Sequence, residues 1–278
     1  SFGVGEFLNN DFAVGAKGRI PTGEFYEKRM ASIYKASGSK KDPKNWDPLA
    51  TGAVFNGMGQ GDVLVTPLQL ANYVAAIANK GWYYTPHIVK SIDGKPNPDP
   101  RFKKKHQTLV DKKHFEPVLK GMEAVVLRGT AHGLKSNDFT QLAKTGTAQV
   151  PQGKDNSIFV LIAPADKPKI VVAAVMEHAG FGATWAGPAS TVIAEKFITG
   201  DLKRENLYKK MTSSSFMPEY KRQWIADLKR KGLYKEPVDS LKQKRIQDSL
   251  KFVKEQKAKL QKQIDIETKN NKTKPAKQ

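Results

Sequence analysis

Four consecutive residues, Lys144-Thr145-Gly146-Thr147, carry the clearest chemistry in this chain of 278 residues. On a strand edge they suit a substrate that ends in a carboxylate. Lys144 supplies positive potential, and the hydroxyls of Thr145 and Thr147 can donate to the carboxylate. Gly146 removes the side chain that would block an extended peptide from pairing with the strand. The backbone N–H of Thr147 can then point at an oxyanion developing on the substrate. Taken alone, Lys-Thr-Gly is equally a surface strand with a turn glycine.

Such a site needs a nucleophile. The chain has no cysteine, which excludes a thiol nucleophile, disulfides and thiolate zinc sites. Its five histidines show no His-Glu-x-x-His pattern and no close pairing, so a histidine metal site is not expected. Two Ser-x-x-Lys strings occur, Ser32-Ile-Tyr-Lys35 and Ser37-Gly-Ser-Lys40. Both lie among Gly, Lys, Asp and Pro with no apolar helix following, and both read as solvated loop. Ser136-Asn137-Asp138 has the wrong order for a Ser-x-Asn motif. His178 and Glu177 read as strand-edge residues, His87 as a loop residue after Pro86, and Lys103-Lys104-Lys105 as a solvated loop. Trp82-Tyr83-Tyr84 reads as packing where a helix turns into a strand.

The elements that must position the motif follow from periodicity and capping. Residues 1–65 are rich in Gly, Pro and charge and read as loops with short strands. Thr66, Pro67 and Gln69 form a helix start with a capping box, and Gly81 marks its end. Leu68, Ala71, Ala75 and Ala78 are its expected apolar face, widened by Tyr73, Val74 and Ile77. A second helix is expected from Asp111 to Arg128, with Pro117 early in it and Gly129 after it. Thr140–Thr147, Ser157–Ala163 and Lys169–Met176 read as strands, the last two as an antiparallel hairpin. A helix from Pro188 to Ile198, with Val192, Ala194, Phe197 and Ile198 apolar, closes the globular part.

These segments resemble class B penicillin-binding proteins, in order, over residues 1–200. Gly57-Met-Gly-Gln-Gly-Asp-Val-Leu-Val-Thr-Pro-Leu-Gln-Leu-Ala-Asn72 is similar to the stretch before the family's Lys-Thr-Gly strand, in its elongation-type form with Gln60 between two glycines. Met122 to Ala131, ending Arg128-Gly-Thr-Ala131, resembles the stretch just upstream of that strand. Ser157-Ile-Phe-Val with Ala163-Pro164, and Gly180-Phe-Gly-Ala-Thr-Trp, resemble the family's segments downstream of it. The resemblance implies an α+β fold of the serine-transpeptidase and β-lactamase type, an antiparallel sheet covered by helices, here without the nucleophile helix. It implies a peptidoglycan D,D-transpeptidase of the cell-elongation machinery, with no cofactor or metal. A serine attacks the penultimate D-Ala carbonyl, and an amine from a second strand resolves the acyl-enzyme. Lys144 would assist proton traffic, Thr145, Gly146 and Thr147 would bind substrate, and the Thr147 N–H would form half the oxyanion hole. The partners implied are stem peptides, β-lactams and elongation-complex membrane proteins. The alternatives are a penicillin-recognising sensor or scaffold and a serine β-lactamase.

The chain opens mid-flow at Ser1-Phe2-Gly3 and reads as a piece of a longer product. The family's Ser-x-x-Lys and Ser-x-Asn motifs, and a membrane anchor, are therefore expected upstream, with the domain outside the cytoplasmic membrane. No window reaches the roughly 20 apolar residues that span a bilayer. Residues 201–278 read as a separate basic tail, with 22 Lys and Arg against 10 acidic residues, +12 of the chain's +20. Ile246, Leu250, Val253, Leu260 and Ile264, with Lys257 on the same seam, predict a helix with a thin apolar stripe over 241–265. Residues 269–278 read as disordered. Nucleic-acid binding is not expected, because only scattered Tyr208, Tyr220, Trp224 and Tyr234 accompany the basic residues.

Overall fold

Thr22 opens the first helix, α1 (Gly23–Ser37): its side chain accepts a hydrogen bond from the Phe25 N–H, and Gly38 closes the helix in the left-handed region at φ 67°. Its sequence only half shows it, because α1 buries only Tyr26, and the apolar residues Tyr26, Met30 and Ile33 are interspersed with Glu, Lys and Arg. A second helix, α2 (Pro48–Gly57), follows. The reading of residues 1–65 as loops with short strands is thus corrected: end caps and a single anchoring tyrosine are enough here. Ser32 and Lys35 lie on α1 and not in a loop, and both are exposed, as are Ser37 and Lys40. The computed structural model describes residues 1–12, 15–42, 48–151, 153–234 and 240–272.

Helix α3 (Pro67–Ala78) starts as its capping box dictates, with the Thr66 side chain on the Gln69 N–H and the Gln69 side chain on the Thr66 N–H. Its buried residues are Gln69, Asn72, Val74, Ala76 and Ile77. This corrects the expected face in which Leu68, Ala71, Ala75 and Ala78 lead. The helix is buried on two sides. Val74 and Ile77 meet the sheet core, while Gln69 donates to the backbone oxygens of Glu6 and Lys17, at 3.0 and 2.9 Å, and Asn72 to that of Phe2, at 3.1 Å. Short strands follow: β1 (Trp82–Tyr84), β2 (Ser91–Ile92), β3 (Lys95–Pro96) and β4 (Lys105–Gln107), paired β1 with β4 and β2 with β3. Tyr83 is buried and stacks on His106, whereas Tyr84 is exposed. Asp11 ties the N-terminal segment to this region; the Val89 N–H, followed by that of Ile88, holds its carboxyl below the usual range.

Helix α4 (Phe115–Arg128) carries Pro117 in its first turn, where a missing N–H costs nothing, and Gly129 caps its end. Three strands then form the main antiparallel sheet, in the order β5 (Leu142–Ala148), β6 (Asn156–Ala163), β7 (Ile170–Met176). Lys144 pairs with Val160 and Thr147 with Ser157, and Phe159 in turn pairs with Ala174. Alternation divides the sheet into two faces. Leu142, Val160 and Ile162 pack with Val74, Ile77, Phe115 and Met122 beneath α3 and α4. Ala143, Phe159, Leu161 and Val172 pack on the other face with Ala186 and Ala194.

That second face is covered by α5 (Ala186–Thr199), which buries Ala186, Gly187, Pro188, Ser190, Thr191, Ala194 and Glu195. Of the apolar residues expected here, Phe197 is exposed. Small residues face the sheet because the helix lies close to it: a Cβ on Gly187 would sit 2.5 Å from Leu134 and 3.1 Å from Phe159. The first compact unit continues past Gly200 to Ser215 and includes α6 (Glu205–Ser213). Arg204 fastens this extension. Its Nε donates to Glu195 at 3.0 Å, and its Nη1 to the Leu134 carbonyl at 2.9 Å.

The second unit, Phe216–Gln278, contains α7 (Met217–Arg230) and α8 (Ser240–Lys272). The helix expected at 241–265 is present and longer. Leu250, Val253 and Leu260 of its stripe are exposed, while Ile246 and Ile264 lie outside the described side chains. Of the stretch expected to be disordered, 273–278 lies outside the described residues. Among the described residues no helix is long and apolar enough to cross a membrane.

The Glu195 side chain is only 1% exposed. Arg204→Ala removes the charged partner of that buried carboxylate and leaves it only the N–H of residue 204, and a loss of about 3 kcal/mol is expected. Thermal and urea melts check this, with Arg204→Lys expected to recover only part of the loss.

Candidate functional site

Strand β5 has a neighbour on one side only among the described residues, so its other edge is open. Gln60 identifies which backbone groups face that edge. Its Nε2 donates to the Thr147 carbonyl at 2.9 Å and its Oε1 accepts from the Gln149 N–H at 3.1 Å. In a strand, the N–H and C=O of one residue point to the same side, alternating every residue. Thr145, Thr147 and Gln149 therefore present their backbone groups to the open edge, the Thr147 N–H among them. Lys144 and Gly146 turn theirs to β6.

Side chains alternate in the other direction. Lys144 and Gly146 share the face of Leu142, and Lys144 is exposed, its Nζ donating to the Thr145 carbonyl at 2.7 Å. Thr145 and Thr147 are half-buried on the opposite face. The Thr145 hydroxyl lies 2.9 Å from that of Thr130, which follows α4. Of the four predicted residues, Thr145 and Thr147 turn backbone groups to the open edge and the Lys144 ammonium reaches it, while Gly146 turns its backbone groups to β6. A cation and a backbone N–H thus stand at the edge, with the two hydroxyls on the face opposite Lys144. Ser32 and Ser37 lie on α1, both exposed.

Close backbone contact fixes the strand from above. The loop before α5 passes over it so tightly that a Cβ on Gly182 would lie 2.2 Å from the Ile158 carbonyl and 2.6 Å from that of Gly146. Ser157, fully buried, locks this loop by donating to the Phe181 carbonyl at 2.9 Å and accepting from the Ala186 N–H at 3.1 Å. Lys210 reaches the same loop from α6, donating to the Thr184 carbonyl at 2.8 Å with its ammonium over the Trp185 ring. At the far end, His178 adopts φ 54°; its N–H donates to Asn156 and its ring meets the Lys154 carbonyl.

Gln60, Thr130 and Ser157 escaped the sequence reading as individual contributors, although all three lie in segments that it singled out. Only Gln60 carried a signal, a polar residue held between Gly59 and Gly61. Ser136, Asn137 and Asp138 form a turn, in which Ser136 is buried and accepts from the Asp138 N–H. His87 stacks on Phe102 with centroids 4.4 Å apart. Beside Gln60 lies an open groove of about 440 Å³ lined by Tyr26, Arg29, Met30, Ile33 and Phe55.

Residues 26–199 match the family described as penicillin binding protein transpeptidase domain. The peptidoglycan D,D-transpeptidase MrdA of Haemophilus influenzae is 30% identical over 221 residues, covering 71% of this chain and 33% of that protein. MrdA of Escherichia coli is 28% identical, covering 72% and 32%. Among solved structures, PBP2 of Pseudomonas aeruginosa aligns with a TM-score of 0.53 at 33% identity, covering 73% of this chain and 44% of that one. PBP2 of Helicobacter pylori, in a complex with MreC, aligns with a TM-score of 0.56 at 26% identity, covering 72% and 34%. The chain spans about a third of the length of these two curated relatives.

Gly182→Ala should destabilise the protein by about 1–3 kcal/mol or more, because the clash is with backbone that cannot step aside. Gly133→Ala, where a Cβ meets nothing within 4 Å, is the matched control and should melt as the parent does.

Proposed function

The chain belongs to the penicillin-binding protein transpeptidase domain family, and from that premise we propose that it carries the substrate-binding strand of a peptidoglycan D,D-transpeptidase of the cell-elongation type. The observation that carries this reading is the open edge of β5, where the Lys144 ammonium and the backbone groups of Thr145 and Thr147 stand. A stem peptide ending in D-Ala-D-Ala would lie along it, with its carboxylate at the hydroxyls of Thr145 and Thr147.

In this reading a serine supplied by upstream sequence attacks the penultimate D-Ala carbonyl. The Oγ–acyl bond forms, negative charge builds on the carbonyl oxygen, and the Thr147 N–H stabilises it. The C–N bond to the terminal D-Ala breaks, and the departing amine takes a proton. An amine from a second stem peptide then attacks the ester and returns the serine hydroxyl. Lys144 supports both proton movements and balances the substrate's charge. The whole protein would act at the outer face of the cytoplasmic membrane. Its partners would be elongation-complex proteins, in line with the complex of the Helicobacter pylori relative with MreC.

Intact-mass measurement with a labelled penicillin tests the proposal. The full-length protein should gain one covalent adduct. The chain from Ser1 to Gln278 alone should gain none, and acylation at Ser32 or Ser37 would contradict the assignment. Lys144→Ala in the full-length protein should slow acylation by about 10²–10⁴-fold without lowering Tm; acylation at the wild-type rate would remove β5 from the site.

The basic tail is proposed to be an appendage to the transpeptidase core. Deleting residues 241–278 from the full-length protein should leave penicillin acylation nearly unchanged. Loss of acylation, or melting of the domain, would place the tail within the core.

A further inference from the structure

Gln60 does more than touch β5. An amide that donates to the carbonyl of one residue and accepts from the N–H two residues on makes the bonds of a residue in a neighbouring parallel strand. Gln60 makes this pattern with Thr147 and Gln149, and so takes the place of a strand residue beside Ala148. Among the described residues no strand runs there. Gln60 reaches the edge from a fixed turn, in which Gly59 has φ 78°, the Gln60 N–H donates to the Phe55 carbonyl at 2.9 Å, and the Asp62 N–H donates to the Asn56 side chain at 2.7 Å. Gly61 nests against Asn56 so closely that a Cβ would fall on its side-chain oxygen.

These bonds limit how long a peptide the edge can read. A chain pairing antiparallel to β5 forms its hydrogen-bonded pairs at every second residue, here Thr145, Thr147 and Gln149. If its reacting residue pairs at Thr147, the residue two places toward its N-terminus falls at Gln149. The Gln149 N–H is already taken by Gln60. The Thr147 carbonyl keeps a second lone pair for the peptide, but the ladder stops there.

We propose that Gln60 is an edge stop, a positioning and specificity-determining residue that limits β5 to the carboxylate-ended tip of a peptide. The chain upstream of the reacting residue must leave the strand. This rests on the reading above, that β5 binds the donor peptide.

The test uses the full-length protein and a series of carboxylate-ended thioester substrates lengthened one residue at a time upstream of the scissile acyl group. In the wild type, kcat/KM for acylation should stop rising once the residue paired at Thr147 is present. In Gln60→Ala it should keep rising, by roughly 2–10-fold for the residue that pairs at Gln149, through KM and not kcat. Gln60→Glu keeps an acceptor for the Gln149 N–H but loses the donor to Thr147, so it should keep the length limit with a raised KM. A purely structural Gln60 would shift Tm without moving the length dependence. Wild-type length dependence in Gln60→Ala, in a protein that penicillin acylates, overturns the edge stop and leaves the functional reading standing. A full-length wild-type protein that penicillin does not acylate overturns both.

Discussion

Strand β5 has to be held along one side and left open along the other, and the rest of the site is built around that asymmetry. Its seven residues pair with β6 from Leu142 to Ala148, which fixes the position of every backbone group without using those on the far edge. An open edge is a hazard, because any extended chain can pair with it. Here it is short, it carries the exposed Lys144, and Gln60 occupies its end. The features that discourage indiscriminate pairing are also those proposed above to admit a short anionic peptide end.

Rigidity comes from packing that large side chains could not provide. Gly182 brings one backbone onto another over Gly146, and Gly187 brings α5 onto Phe159. Ser157 then joins strand to loop with hydrogen bonds in which it both donates and accepts. The oxyanion donor proposed at Thr147 is thus fixed by the β6 ladder below, the glycine loop above and Gln60 at the side. Preorganised donors of this kind spend no energy on reorientation as charge develops.

Local chemistry made much of this legible in the sequence. The Thr66–Gln69 capping box, the β6–β7 hairpin and Gly129 each act within a few residues, and each is found where expected. Contacts between distant segments were less legible. The buried face of α3 is set by carboxamides that reach residues 2, 6 and 17, which no periodicity encodes. That of α5 is set by how closely it approaches the sheet, so Ser190 and Thr191 are buried while Phe197 is exposed. Helix α1 has end caps, Thr22 and Gly38, but its short stripe of Tyr26, Met30 and Ile33 is set among charged residues and buries only Tyr26. At the site, the Lys144–Thr147 motif could be read directly. Its bond to Gln60, 87 residues away in sequence, could not.

The central claim is geometric, that the Thr147 N–H faces the reacting carbonyl of a ligand lying along the open edge of β5. A crystal structure of the full-length protein acylated by a penicillin tests it most directly. The account predicts the acyl carbonyl oxygen at about 2.7–3.1 Å from the Thr147 nitrogen, with the ligand carboxylate at the hydroxyls of Thr145 and Thr147. An acyl oxygen turned away from β5, or a carboxylate bound elsewhere, would contradict it.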